Sequence, residues 1–106
     1  MKEFDLYKMI FFALDYYWDE YKGEELGLFL SGMNPFLFLG EGSAVPDIYP
    51  AYKKFLNGRE ITVEGSYDVA REYIKHLDKD YITEAFEWVD KDSWMKKCRK
   101  YLEESD

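Results

Sequence analysis

The chain has 106 residues, enough for one domain that buries roughly two-thirds of the surface its unfolded form exposes. Its net charge is -8, yet 47% of its residues are apolar and 20% aromatic, so the acids coat a folded body and are not the mark of a disordered tail. That balance excludes nucleic acid and anionic membrane surfaces as ligands, since no stretch gathers Lys and Arg into a phosphate footprint, and it favours a basic protein as partner.

Helical periodicity dominates the chain, with no internal repeat. A first helix is predicted from an Asp5 cap to about Tyr21, with Leu6, Met9, Ile10, Ala13, Leu14, Tyr17 and Tyr21 facing inward and Gly23 stopping it. Phe12 and Tyr16 make it apolar nearly all round, which suits either a central helix or one that carries a binding face. A short second helix is expected from Glu24 to about Ser31, buried through Leu26, Phe29, Leu30 and Met33 and ended by Gly32. Met33 to Val45, with Asn34-Pro35 and Gly40-Glu41-Gly42-Ser43, reads as an ordered loop or short extended segment.

Asp47 looks like the cap of a third helix to Leu56, with Pro50 in its first turn, Ile48, Tyr52 and Phe55 inward, and Asn57-Gly58 at its close. Thr62 and Ser66 compete to start a fourth helix that ends near Leu77 and buries Val69, Ala70, Tyr73, Ile74 and Leu77. A fifth covers roughly Tyr81 to Val89, with Ile82, Ala85, Phe86 and Val89 inward. A sixth runs from Asp92 to Leu102, with Trp94, Met95, Cys98, Tyr101 and Leu102 inward. The fold expected is a compact all-α single domain over 1-106 of about six short helices.

Compartment follows from chemistry that is missing. The single Cys98 forms no internal disulfide, which fits a reducing cytoplasm. The opening Met1-Lys2-Glu3-Phe4-Asp5 has no signal-peptide run, and the apolar runs fall far short of the roughly 20 residues that span a bilayer.

Three stretches carry a family resemblance: Leu30-Ser31-Gly32-Met33-Asn34-Pro35-Phe36-Leu37-Phe38, Gly42-Ser43-Ala44-Val45-Pro46-Asp47-Ile48-Tyr49, and Ser66-Tyr67-Asp68-Val69-Ala70-Arg71-Glu72-Tyr73-Ile74. With the Tyr-rich first helix as a further part, the similarity extends over most of the chain. The sequence resembles bacterial immunity proteins of contact-dependent growth inhibition and related polymorphic toxin systems. The resemblance implies a cognate inhibitor that binds a toxin domain, frequently a nuclease, and blocks its active site or substrate path. A non-catalytic regulatory or structural subunit, acting through a permanent complex or a homodimer, is the alternative.

Catalytic patterns are weak. Gly40-Glu41-Gly42-Ser43 lacks the third glycine and the strand and helix of a dinucleotide fingerprint, and Glu41 repels phosphate. Asp78-Lys79-Asp80 and Asp90-Lys91-Asp92 lack the glycine and distant Glu of a calcium loop and read as helix caps. His76 is the one histidine, and Cys98 is expected on the inward face of another helix, so no Cys/His nucleophilic pair is expected. The expectation is a binder with no catalytic residue, metal or cofactor.

Charge places the binding face. No Lys or Arg occurs from Gly23 to Ala51, while Asp15, Asp19, Glu20, Glu24, Glu25, Glu41 and Asp47 are interrupted only by Lys22. Aromatic residues beside acids are the usual anchors of interfaces, so the partner site is assigned to Asp15, Tyr16, Trp18, Asp19, Glu20, Glu24 and Glu25. The acid-rich stretch Glu84 to Asp92 is the second choice.

Overall fold

The first helix, α1, spans Glu3–Tyr21 and runs about 28 Å at 1.5 Å per residue, almost the full length of a molecule 33 × 29 × 25 Å in extent. The structure is a computed structural model and describes residues 1–37 and 42–104. Among the described residues five further α-helices follow: α2 (Glu24–Met33), α3 (Ile48–Leu56), α4 (Ser66–Leu77), α5 (Asp80–Glu87) and α6 (Lys91–Glu104). One 3-10 turn lies at Pro35–Leu37, and no strand occurs among the described residues. The protein is an all-α single domain, and its radius of gyration of 12.9 Å suits a globule of about 100 residues.

α1 is the central helix, packed against α2, α4 and α5. Leu6, Ile10 and Leu14 are fully buried along one stripe, and Tyr7, Met9, Phe11 and Ala13 widen it. Tyr7 and Phe11 were not among the residues expected inside. α1 starts at Glu3 with Lys2 as its N-cap, so Asp5 sits in the first turn and is no cap; there its charge suits the positive end of the helix dipole.

Gly32 does not end α2. The helix continues to Met33 because Gly32 is where the following loop closes on it: a Cβ there would stand 3.0 Å from Val45 Cγ2 and 3.1 Å from Ile48 Cδ1. The Val45 N–H donates to the Gly32 carbonyl at 2.8 Å, which holds that loop in place. Of the expected loop Met33 to Val45, Phe38 to Glu41 lie outside the described residues.

Asp47 occupies the N-cap of α3 but makes no side-chain capping bond. Ser43 does that work: its Oγ, 1% exposed, accepts the Tyr49 N–H at 3.0 Å and donates to the Val45 carbonyl at 2.6 Å. Inside α3 the fully buried residues are Tyr49, Tyr52 and Leu56, while Ile48 and Phe55 are half-buried. Asn57 closes the helix in the left-handed region at φ 53, as its neighbourhood with Gly58 suggests.

Of the two candidate starts for α4, Ser66 is the helical one, and the Thr62 hydroxyl accepts the Gly65 N–H in the preceding turn. Ser66 is also a core residue, its Oγ donating to the Val63 carbonyl and accepting the Trp94 indole N–H at 2.8 Å. That bond satisfies the largest buried side chain of α6. α6 itself is capped by Asp90, whose Oδ1 accepts the Ser93 N–H at 2.7 Å, and not by Asp92. Cys98 is fully buried on the inward face of α6, where burial pushes its thiol up to about 11.

Candidate functional site

The seven residues assigned from sequence fall on the last two turns of α1 and the first turn of α2. The chain reverses between them over Lys22 and Gly23, both with positive φ, and the Lys22 N–H closes α1 on the Trp18 carbonyl at 2.7 Å. Gly23 at φ 120 has a conformation that side chains rarely adopt, which explains the glycine there. Glu24 and Glu25 then stand in the first turn of α2, where negative charge is favoured by the exposed N–H groups.

Trp18 is tied into this reversal. Its indole N–H donates to the Gly23 carbonyl at 3.0 Å, and the Lys22 ammonium lies 4.3 Å from its ring centroid. Gly27 on α2 makes room for it, since a Cβ there would lie 2.9 Å from Trp18 Nε1. The ring is half-buried and joins α1 to α2, so its first role is to fix the turn that presents the acids.

A different tryptophan joins the site. Trp88, just past the end of α5, is 41% exposed and meets Tyr16 at 5.2 Å, Tyr17 at 5.8 Å and Tyr21 at 5.6 Å between ring centroids. Tyr16 and Tyr21 are 50% and 59% exposed, so the expectation that Tyr21 points inward is wrong: the end of α1 overhangs the core, and Tyr21 packs instead on the half-buried Tyr17 at 4.7 Å. These rings form a continuous aromatic surface. Sequence reasoning marked the stretch Glu84 to Asp92 for its acids, and it did not single out Trp88 within it; the contact with α1 bridges some seventy positions and leaves no local trace.

Acids rim this surface on two sides. On one, Tyr17, Lys22, Glu24, Glu25, Tyr81 and Glu84 line a shallow depression between α1, α2 and α5. Burial, and then the charge of Glu84, pushes the Tyr17 hydroxyl above its ordinary value. On the other, a cleft of about 270 Å³ runs beside Tyr16, with Asp15, Asp19 and Lys97 at its polar edge. Asp15 also borders a third concavity, with Trp18, Glu24, Gly27 and the exposed Leu28, so it stands on a ridge between two grooves. Among the described residues Asp15, Glu20, Glu24 and Glu25 make no ion pair, and the exposed Asp19–Lys22 contact of 3.7 Å is a weak one. The two acid-rich stretches named from sequence are thus one neighbourhood, joined through Trp88 and Glu84.

The groups considered for catalysis lie in structural roles. His76 is exposed and rests against the Phe55 ring at 4.7 Å, and Cys98 is sealed in the core. Asp90 is held below the usual carboxylate range chiefly by the Ser93 backbone N–H, as a helix cap is. Asp78 closes α4 in the left-handed region, and Asp80 opens α5. Among the described residues no three His, Cys, Asp or Glu side chains gather into a metal-holding group, and no helix is long and apolar enough to cross a membrane. No family model, curated protein or solved structure matches this chain.

Proposed function

We propose that this protein is a non-catalytic binder of a basic protein, and that its partner is a cognate toxin domain which it neutralises by stoichiometric binding in the cytoplasm. The observation that carries the binding reading is the exposed ring surface of Tyr16, Tyr21 and Trp88 set among acids of which, among the described residues, only Asp19 has an ion-pair partner, the exposed Lys22. Interfaces take their affinity from desolvated aromatic anchors and their on-rate from complementary charge, and both are present in one place. The toxin as partner is supported by the resemblance of Leu30 to Phe38, Gly42 to Tyr49 and Ser66 to Ile74 to immunity proteins. A symmetric homodimer through this face is disfavoured, because it would bring the acidic patch of Asp15, Glu20 and Glu24 against a patch of the same sign.

The test is to express the protein with the product of the reading frame immediately upstream, where the toxin of such a pair is encoded. A one-to-one complex that abolishes the toxin's activity is expected. Reversing Asp15, Asp19 and Glu20 to Lys should slow association, with the effect shrinking as salt shortens the Debye length toward about 8 Å. Trp88→Ala should mainly speed dissociation. A neighbouring product that forms no complex and stays active, or a complex indifferent to all four changes, rules this reading out.

A further inference from the structure

The cleft beside Tyr16 has a form that the acidic rim alone does not explain. Its floor is the outer layer of the core, made by Met9, Phe12, Ala13, Val89 and Trp94. Its edge is polar, with Asp15 and Asp19 one helical turn apart on α1 and Lys97 opposite on α6. At about 270 Å³ it lies at the small end of ligand pockets, with room for one long side chain. An apolar floor under a carboxylate edge takes a chain of methylenes that ends in a cation.

The molecule already places a cation there. The Lys97 ammonium lies 4.1 Å from the Tyr16 ring centroid, yet it pairs with neither Asp15 nor Asp19 among the described residues. The Lys97 ammonium thus satisfies the ring and bonds neither carboxylate, so that among the described residues Asp15 has no ion pair and Asp19 has only the exposed Lys22 at 3.7 Å. A guanidinium differs in shape: its flat fork stacks on an aromatic face while its edge bonds a carboxylate through two parallel N–H groups. We propose that this cleft is the receptor for a single arginine side chain of the basic partner, and that Lys97 is its internal occupant, displaced when the arginine enters. This rests on the reading of the protein as a binder of a basic partner, and it deepens that reading by naming what the partner inserts.

The probe is the blocked amino acid N-acetyl-arginine methylamide, titrated into the full chain and followed by amide chemical shifts, with the lysine and norleucine analogues as controls. Arginine should shift the amides of Asp15, Tyr16, Asp19 and Lys97 at millimolar concentration and bind more tightly than lysine. Asp15→Asn should weaken it. Lys97→Met, which keeps the stem and removes the competing charge, should tighten it by about threefold, the size expected of one exposed cation on an aromatic face. Lys54→Met on α3, which removes the same net charge elsewhere, measures the general electrostatic gain and should give less. Circular dichroism checks that each variant keeps the fold.

Binding no tighter for arginine than for lysine or for norleucine overturns the proposal. So do shifts spread evenly over the surface acids, or a Lys97→Met variant that binds no better than Lys54→Met. The probe needs no partner, so the two readings fail separately. An unseated probe beside a toxin complex that depends on Trp88 removes only the arginine receptor, and a seated probe with no complex removes only the toxin.

Discussion

Near the start of α1, Tyr7 packs against Tyr49 and Tyr52, both at 5.0 Å, and Tyr52 meets Tyr73 at 5.1 Å; near its end, Tyr16, Tyr17 and Tyr21 gather around Trp88. The first group is buried, and two of its hydroxyls are spent on the backbone: Tyr7 donates to the Met33 carbonyl at 2.5 Å and Tyr52 to the Glu3 carbonyl at 2.6 Å. Those bonds tie α1 to the end of α2 and to α3. The second group stacks its rings in view of solvent and acids. One helix thus carries the same residue type in two states, consumed at one end and available at the other, and the second state is what a binding surface requires.

Substitution separates the two groups most strongly. Tyr52→Ala should cost about 3–5 kcal/mol, the range for emptying a buried aromatic site, whereas Trp88→Ala should cost about 1 kcal/mol, the worth of an exposed ring pair. Denaturant unfolding followed by circular dichroism measures both. Equal losses would mean that the exposed rings are structural too.

Alkali gives a second separation. Burial raises the Tyr73 hydroxyl from 10.0 to about 12 and pushes those of Tyr7 and Tyr52 up as well. Above pH 10.0 the unfolded chain has released these protons while the folded chain keeps them, so stability is full below that pH and falls as pH climbs toward about 12. Tyrosinate absorbance should therefore rise in a cooperative step together with the loss of helix. Titration of every tyrosine before any helix is lost would deny the buried group its role. The finest contrast is one atom: Tyr7→Phe removes the donor to Met33 and should cost about 1 kcal/mol, while Tyr21→Phe should leave the unfolding midpoint unchanged.

Helices were legible because each has a local stripe. α4 shows this best, since its burial of Ala70, Tyr73 and Ile74 follows the 3.6-residue period and its polar face is plain. What sequence could not give depends on partners distant along the chain. Gly32 reads as a stop, and is instead a point of close approach that only the position of Val45 and Ile48 reveals. Tyr7 and Phe11 lie off the expected stripe but are covered because α1 is wrapped on several sides. At the candidate site the acids and Tyr16 were readable from composition, whereas the exchange of roles between Trp18 and Trp88 was not. Trp18 is claimed by Gly23 and Gly27 nearby, and Trp88 gains its place from a helix on the other side of the sequence.

Cys98 gives the molecule a clock. Its thiol is fully buried on α6 where that helix meets α4, and burial keeps it protonated well past neutrality. A buried thiol is reached by a reagent only when the packing around it opens, so the rate of its consumption counts those openings. The same helix carries Lys97 at the edge of the cleft, so a group that bridged α1 and α6 there would also slow the clock.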